Sequence, residues 1–368
     1  MNRTGSIAGL ALAGALGLAA CGSDGGSTTG AASSSGGGPA SGISCSKGSV
    51  TAAGSSAQKN AMDEWIKNYQ QKCAGSTVNY QSIGSSSGRQ QFITGTIDFA
   101  GSDSALSADE QPKADARCAT GKAVNLPMVV GPIGIAYNLQ GVDNLILDGP
   151  TAAKIFSSQV KTWNDPAITA LNPNAKLPST PIQQFHRSDG SGTTDNFTKY
   201  LKAAGGAAWT ADSGSDWKAT GGQGAKGNEG VSAGVKGAEG GVGYLELSFI
   251  ENGGLKAAKI ATGASAPVQL TADNAGKAVE AAKIAGSGND LKLTIDYATK
   301  TDGVYPIVLV TYEIVCEKGT APEKIALIKS FLGYTASAEG QKAIAGIGYG
   351  PLPTSFITKV RSSVDALA

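Results

Sequence analysis

A strand, a tight Gly/Ser turn and a helix follow one another at the start of the ordered part of this chain, and the unit is then used again. Ser49-Val50-Thr51-Ala52 predicts a short strand, Gly54-Ser55-Ser56 a turn, and Ala57 to Lys72 a helix with Ala61, Met62, Trp65, Ile66 and Tyr69 at helical spacing. Thr77-Val78-Asn79-Tyr80 predicts the next strand, and Gly84-Ser85-Ser86-Ser87-Gly88 leads into a helical segment with Phe92 and Ile93. Ile97-Asp98-Phe99-Ala100 gives a third strand ending at Gly101-Ser102-Asp103-Ser104. Such alternation predicts an α/β fold with a mostly parallel sheet whose loops gather at the C-terminal edge of the strands.

Two long apolar runs, Val124 to Asn138 and Tyr305 to Val315, are the candidates for strands passing between two lobes. Between them lie helices such as Asp195 to Ala204 and a glycine-rich stretch, Gly221 to Gly243; after Val315 a helix from Pro322 to Phe331 returns the chain to the first lobe. The expected division is residues 45–130 and 306–368 in lobe one and 131–305 in lobe two, one lobe interrupted by the other around a central cleft.

The N-terminus predicts export. Asn2 and Arg3 precede an apolar stretch from Ile7 to Ala20, too short for the roughly 20 residues that span a bilayer. It runs into Leu18-Ala19-Ala20-Cys21, the arrangement of a bacterial lipoprotein processing site, so residues 1–20 read as a signal peptide and Cys21 as the lipid attachment point. Residues 21–44, almost wholly Gly, Ser, Ala and Thr, cannot bury apolar surface and read as a flexible tether. The chain carries 30 Lys+Arg and 29 Asp+Glu, a near-neutral balance that argues against nucleic acid as a partner.

Of five cysteines, Cys45, Cys73, Cys118 and Cys316 remain for two disulfides in an exported chain, and four cysteines allow three pairings. The expected topology favours one of them. Cys45 and Cys73 each precede a strand of a parallel pair, which puts both at the same edge. Cys118 precedes the strand near Val124, and Cys316 ends a strand expected to run antiparallel to it. Cys45–Cys73 and Cys118–Cys316 are then the close pairs. The single histidine, His186, and the lack of clustered Cys/His spacing leave no metal site and imply no cofactor.

Three Gly/Ser turns feeding helices carry the candidate chemistry: Gly54-Ser55-Ser56, Gly84-Ser85-Ser86 and Asp189-Gly190-Ser191-Gly192-Thr193. Each can direct unpaired backbone N–H groups, a hydroxyl and the positive end of a helix dipole at one point, while small residues admit a ligand close to the backbone. A lone turn of this kind is ordinarily an N-cap; three that converge describe an anion site. Arg187, two residues before Asp189, offers a planar fork suited to a tetrahedral oxyanion, and the carboxylate can hold that fork in place. His186 reads as a packing or solvent-facing residue.

These stretches resemble the phosphate-binding proteins of bacterial high-affinity phosphate ABC transporters. The likeness is carried, in order, by Thr51-Ala52-Ala53-Gly54-Ser55-Ser56, Val78-Asn79-Tyr80-Gln81-Ser82-Ile83-Gly84-Ser85-Ser86, Asp98-Phe99-Ala100-Gly101-Ser102-Asp103, Lys161-Thr162-Trp163-Asn164-Asp165-Pro166, Arg187-Ser188-Asp189-Gly190-Ser191-Gly192-Thr193 and Gly227-Asn228-Glu229-Gly230. Five cysteines, Pro306-Ile307-Val308 and the Cys21 tether look most like the actinobacterial lipoprotein members. The resemblance implies a two-lobed periplasmic-binding-protein clamshell of type II with the ligand in the interlobe cleft. It further implies capture of inorganic phosphate, membrane permease subunits as partners, a monomer, and an extracytoplasmic, lipid-anchored location.

Carried over residue by residue, the ligand contacts fall on Ser56, Ala57, Ser85 and Asp103 in lobe one and on Arg187, Ser191, Gly192 and Thr193 in lobe two, with Asp189 supporting Arg187. Ser56 stands where threonine is more usual and Ala57 where an aromatic is common. Two other functions compete. A phosphatase using Ser191 as nucleophile has against it the lack of a triad arrangement, of a metal cluster and of a Gly-x-Ser-x-Gly elbow. A sulfate or molybdate carrier is disfavoured by the acidic Asp103, and an added adhesive or immunogenic role lies outside what the residues decide.

Overall fold

The computed structural model describes residues 43–368; the expected signal peptide, Cys21 and nearly all of the expected tether fall outside them. Thirteen strands occur in the described part: β1 (Gly48–Gly54), β2 (Ser76–Ser82), β3 (Phe99–Ser102), β4 (Ala123–Asn138), β5 (Ile146–Asp148), β6 (Gln183–Arg187), β7 (Gln223–Ala225), β8 (Gly241–Glu246), β9 (Lys256–Ala257), β10 (Lys259–Ala261), β11 (Lys283–Ile284), β12 (Leu293–Thr294) and β13 (Val308–Cys316). Eight of them run in the order β2-β1-β3-β13-β4-β8-β6-β7, with β9 added beside β4.

β4 is the spine of this sheet. Residues 123–132 pair with β13, and residues 133–138 pair with β8, so one strand belongs to both halves of the molecule. Every residue of β4 except Asn138 is buried, and all of β13 is buried. Strands covered on both faces have no solvent side to keep polar, so their sequences read as continuous apolar runs. β1 runs parallel to β2 and β3, and β6 parallel to β7 and β8, as strand-helix alternation dictates. The sheet is nevertheless mixed rather than mostly parallel: β13 is antiparallel to β3 and β4, and β4 to β8. A chain that leaves one lobe and later returns crosses in opposite directions, and its two crossing strands must oppose one another.

The glycine-rich segment 221–243 is an ordered β7, helix, β8 unit. Its glycines act by absence of bulk. A Cβ on Gly234 would stand 2.5 Å from the ring of Phe185, and one on Gly243 would stand 2.8 Å from Val231, so helix Gly227–Gly237 lies against the sheet only because both are bare. Segment 283–297, expected in lobe two, bonds to Asn125 and Tyr312, residues expected in lobe one. Leu291 N–H donates to the Asn125 carbonyl (3.0 Å), Asn125 N–H to Asp290 (2.9 Å) and Leu293 N–H to the Tyr312 hydroxyl (3.0 Å).

Cys45 is bonded to Cys73 with Cα atoms 5.2 Å apart, and Cys118 to Cys316 with Cα atoms 5.3 Å apart. Register explains both. β1 and β2 start level, Gly48 opposite Ser76, and Cys316 lies opposite Ala123 in the antiparallel β13–β4 ladder. Among the described residues, no helix is long and apolar enough to cross a membrane.

Candidate anion-binding site

The site lies where the ends of β1, β3 and β6 meet the starts of their following segments. Gly54 ends β1 with φ +146°, and a Cβ there would fall 1.9 Å from the Gly101 carbonyl oxygen; only glycine lets the chain turn this closely against β3. Ser55 N–H donates to that same carbonyl (2.8 Å), and Ala57 N–H donates to Ser55 Oγ (3.0 Å). Ser56 follows with its hydroxyl buried against Asn228. Its Oγ accepts from both the backbone N–H and the side-chain amide of Asn228, each at 3.1 Å.

The second turn places Ser85 at the first residue of helix Ser85–Ile93. Ser85 Oγ donates to Asp103 Oδ2 at 3.3 Å and accepts from Asp103 N–H at 3.2 Å. The other carboxyl oxygen of Asp103 accepts from Thr311 Oγ1 (2.8 Å), a threonine in the middle of β13. Burial raises the Asp103 carboxyl above its ordinary pKa, opposed by hydrogen bonds from Ser55 and Thr311, by the charge of Arg187 and by Ser85.

The third turn follows β6. Arg187 ends β6 with its side chain buried, and its guanidinium grips Asp189 through Nε (Oδ1, 2.7 Å) and Nη2. Nη1 is left uncommitted to that pair. Burial pushes Asp189 up, yet the hydrogen bond and charge of Arg187, together with the Gly227 N–H, outweigh it and hold the carboxyl below its usual range. Ser191 caps helix Gly192–Ala204, its Oγ accepting from Thr194 N–H (3.2 Å), which leaves the N–H groups of Gly192 and Thr193 as first-turn donors. Arg187 N–H is fixed in turn by the Tyr244 hydroxyl at 3.0 Å.

The three turns meet at this point. A Cβ on Gly192 would stand 2.5 Å from Asp103 Cβ and 2.8 Å from Ser85 Oγ, and one on Gly84 would stand 2.6 Å from Asp189 Oδ2. Ser86 N–H donates to the Gly190 carbonyl (3.1 Å), and Ser104 Oγ donates to Asp195 (2.6 Å). Ser56, Ser85, Asp103, Arg187, Ser191 and Thr193 are all buried. The structure thus brings Ser56, Ser85, Asp103, Arg187, Asp189, Ser191, Gly192 and Thr193 near one another, with Asp103 turned towards the first turn of a helix. Ala57 departs in one respect, its N–H being directed at Ser55 Oγ.

Sequence reasoning passed over Asn228, which spans the cluster from Ser56 to Thr193 Oγ1 (3.4 Å) and accepts from Glu246 N–H (3.1 Å). Its signal was present in Gly227-Asn228-Glu229-Gly230, a stretch noticed for its resemblance but not for a side chain. Thr311 was also missed; a polar residue inside an otherwise apolar strand was the available cue. His186 stacks on Trp217 with ring centroids 5.0 Å apart, a packing residue as expected.

The chain is similar to known proteins along nearly all of its length. A family model described as the PBP superfamily domain matches residues 29–339. The phosphate-binding proteins PstS 3 of Mycobacterium tuberculosis and of Mycobacterium leprae are each 44% identical to this chain, over the whole of both chains. PstS 2 of Mycobacterium tuberculosis is 42% identical, over all of this chain and 99% of that one. Among solved structures, the ancestral soluble variant of the human phosphate binding protein superposes with a TM-score of 0.70 at 20% identity, covering 86% of this chain and 93% of that one. The phosphate binding protein from Stenotrophomonas maltophilia gives 0.67 at 20% identity, with the same coverage, and shares the fold.

Proposed function

We propose, from the premise that this chain belongs to the phosphate-binding proteins of the PBP superfamily, that it captures inorganic phosphate between its two lobes and delivers it to an ABC-type importer. The observation that carries the reading is the convergence of Asp103 with the Arg187–Asp189 pair and the first turn of helix Gly192–Ala204. A tetrahedral oxyanion needs several donors at once and one cation; a protonated oxyanion also needs one acceptor. The hydroxyls of Ser56, Ser191 and Thr193 and the first-turn N–H groups of Ser85 and Gly192 offer the donors, Arg187 the cation, and Asp103 the acceptor for a P–OH.

We take lobe one as residues 45–130 and 306–368 and lobe two as 131–305, with segment 283–297 strapping back onto lobe one. Ligand bound to both lobes favours the closed arrangement over any open one, by as much as its contacts differ between them. The reading is of a carrier rather than an enzyme: Ser191 Oγ serves its own helix by accepting from Thr194 N–H, and His186 is stacked on Trp217, so these two do not pair as nucleophile and base. Chromogenic phosphate esters should therefore release no product. The mature chain is held at the outer face of the membrane by lipid on Cys21, works as a monomer and hands phosphate to permease subunits. Cys21→Ser should release it from the membrane fraction.

The deciding experiment is calorimetric titration of the protein, stripped by unfolding and refolding, with phosphate, sulfate and arsenate. Phosphate and arsenate should bind and sulfate should not. Equal binding of sulfate, or no binding of phosphate, overturns the reading.

A further inference from the structure

β13 sets Glu313 opposite Gly101 of β3 and Leu126 of β4, in the centre of the sheet. The side chain is fully buried, and neither of its carboxyl oxygens has a hydrogen-bond partner. Other buried acids have at least one oxygen held: Asp103 by Ser85 and Thr311, and Glu246 at Oε2 by the backbone N–H of Ser248 (3.0 Å), its Oε1 being without a partner. A carboxylate ion left in this position would lose its hydration without replacement, whereas a carboxylic acid loses far less and brings a donor of its own.

The surroundings supply an acceptor. Gln58 Oε1 is also buried without a partner, while the amide nitrogen of Gln58 donates to the Tyr80 hydroxyl (3.1 Å) and Tyr80 donates to the Ser55 carbonyl (2.7 Å). A Cβ on Gly101 would lie 1.8 Å from Gln58 Nε2, so the amide occupies the space above the residue that Glu313 faces across the ladder. Directly opposed residues of an antiparallel pair project from the same face, as does Thr311, two residues earlier on β13, which holds Asp103.

We propose that Glu313 is a positioning residue of the phosphate site: as a neutral acid it donates to Gln58 and completes a buried chain through Tyr80 to the loop that carries Ser56, and its ionisation opposes binding of an anion beside Asp103. This rests on phosphate being the ligand.

The groups facing Glu313 are Tyr80 from β2, with Asp63 acting on Tyr80 from helix Lys59–Lys72, and Asp103 beyond β3; Arg187 from lobe two acts on Asp103, and β4 contributes only Leu126 at the register position. Burial lifts the Glu313 carboxyl to about 8, Gln58 opposing and the charge of Asp103 adding. The proton is therefore present at neutral pH and leaves as pH rises through about 8. A bound anion holds it longer, so binding and protonation reinforce one another and affinity falls on the alkaline side.

The test is phosphate calorimetry on the full-length protein and on Glu313→Gln at pH 7 and pH 9.5; changes in the ionisation of phosphate itself are common to both. Between pH 7 and pH 9.5 the wild type should lose about sevenfold more affinity than Glu313→Gln does, the effect over this range of one unit of coupling on a group titrating at about 8. Parallel profiles overturn the proposal. Tyr80→Phe, which cuts the chain, should weaken phosphate binding several-fold at pH 7, and unchanged affinity overturns the chain. Infrared spectra without phosphate separate this inference from the function. The wild type should show a protonated-carboxyl band at pH 7 that is lost by pH 10 and missing from Glu313→Gln, and its absence overturns the proposal even if phosphate binds. No phosphate binding by the wild type at pH 7, with that band present, overturns the function instead.

Discussion

Asp103 places a carboxyl against the point where an anion would sit, which is unfavourable unless that anion carries a proton. Hydrogen phosphate has one to donate; sulfate at neutral pH does not, and would meet Asp103 lone pair against lone pair. Ser85 and Thr311 already donate to Asp103, so its position is fixed and it cannot turn aside to admit the wrong anion. Asp103→Asn keeps the size and adds an N–H donor, so the variant should gain sulfate affinity measurable by calorimetry while the parent shows none; equal rejection would remove this role. Arg187 is the single cation of the cluster. Arg187→Ala should weaken phosphate binding by tens-fold or more, in keeping with the roughly 2–5 kcal/mol cost of removing one member of a buried charge pair, and a change under threefold would take Arg187 out of the site. Glu313 also bears on stability. Its folded pKa of about 8 lies above the ordinary 4.5, so its contribution is fully present below about 4.5 and is lost as pH rises through about 8. Urea unfolding should show the wild type losing stability relative to Glu313→Gln between those limits and levelling off beyond them.

Helix Gly192–Ala204 contributes its first turn, and that turn works because its first residue has no side chain. A methyl on Gly192 would press into Asp103 and Ser85 across the lobes. Gly192→Ala should therefore lower phosphate affinity by about tenfold or more, the equivalent of about 1.4 kcal/mol, with the thermal midpoint of the ligand-free protein little changed because opening the lobes relieves the contact. A midpoint falling in step with affinity would place the damage in the helix itself. The Gly221–Gly243 segment shows the converse use of glycine. There the missing side chains let a helix lie on Phe185 and Val231, and a stretch that reads as loop by composition folds as strand, helix and strand.

Across the whole molecule, two disulfides tie down the interrupted lobe. Cys45–Cys73 closes 28 residues and Cys118–Cys316 closes 198, the latter spanning the whole excursion through lobe two. Loop-closure entropy assigns about 3.5 kcal/mol to the first and about 5 kcal/mol to the second. Denaturant unfolding should show a larger loss for Cys118→Ser with Cys316→Ser than for Cys45→Ser with Cys73→Ser, and the reverse order would mean that strand pairing already restrains the longer loop.

The sequence by itself determined the repeated strand-turn-helix units, because periodicity and Gly/Ser turns are local, and the two crossing strands, because strands buried on both faces must be apolar throughout. It also marked Arg187, Asp189 and the serine turns, whose function needs backbone donors that a short motif can encode. Tertiary structure alone decided that Asn228 reaches Ser56 and Thr193, that Thr311 reaches Asp103 and Glu313 faces Gly101, and that segment 283–297 bonds to Asn125. These contacts join residues far apart in the chain, and nothing in a strand's apolar run or a loop's composition says which distant group will meet its one polar side chain.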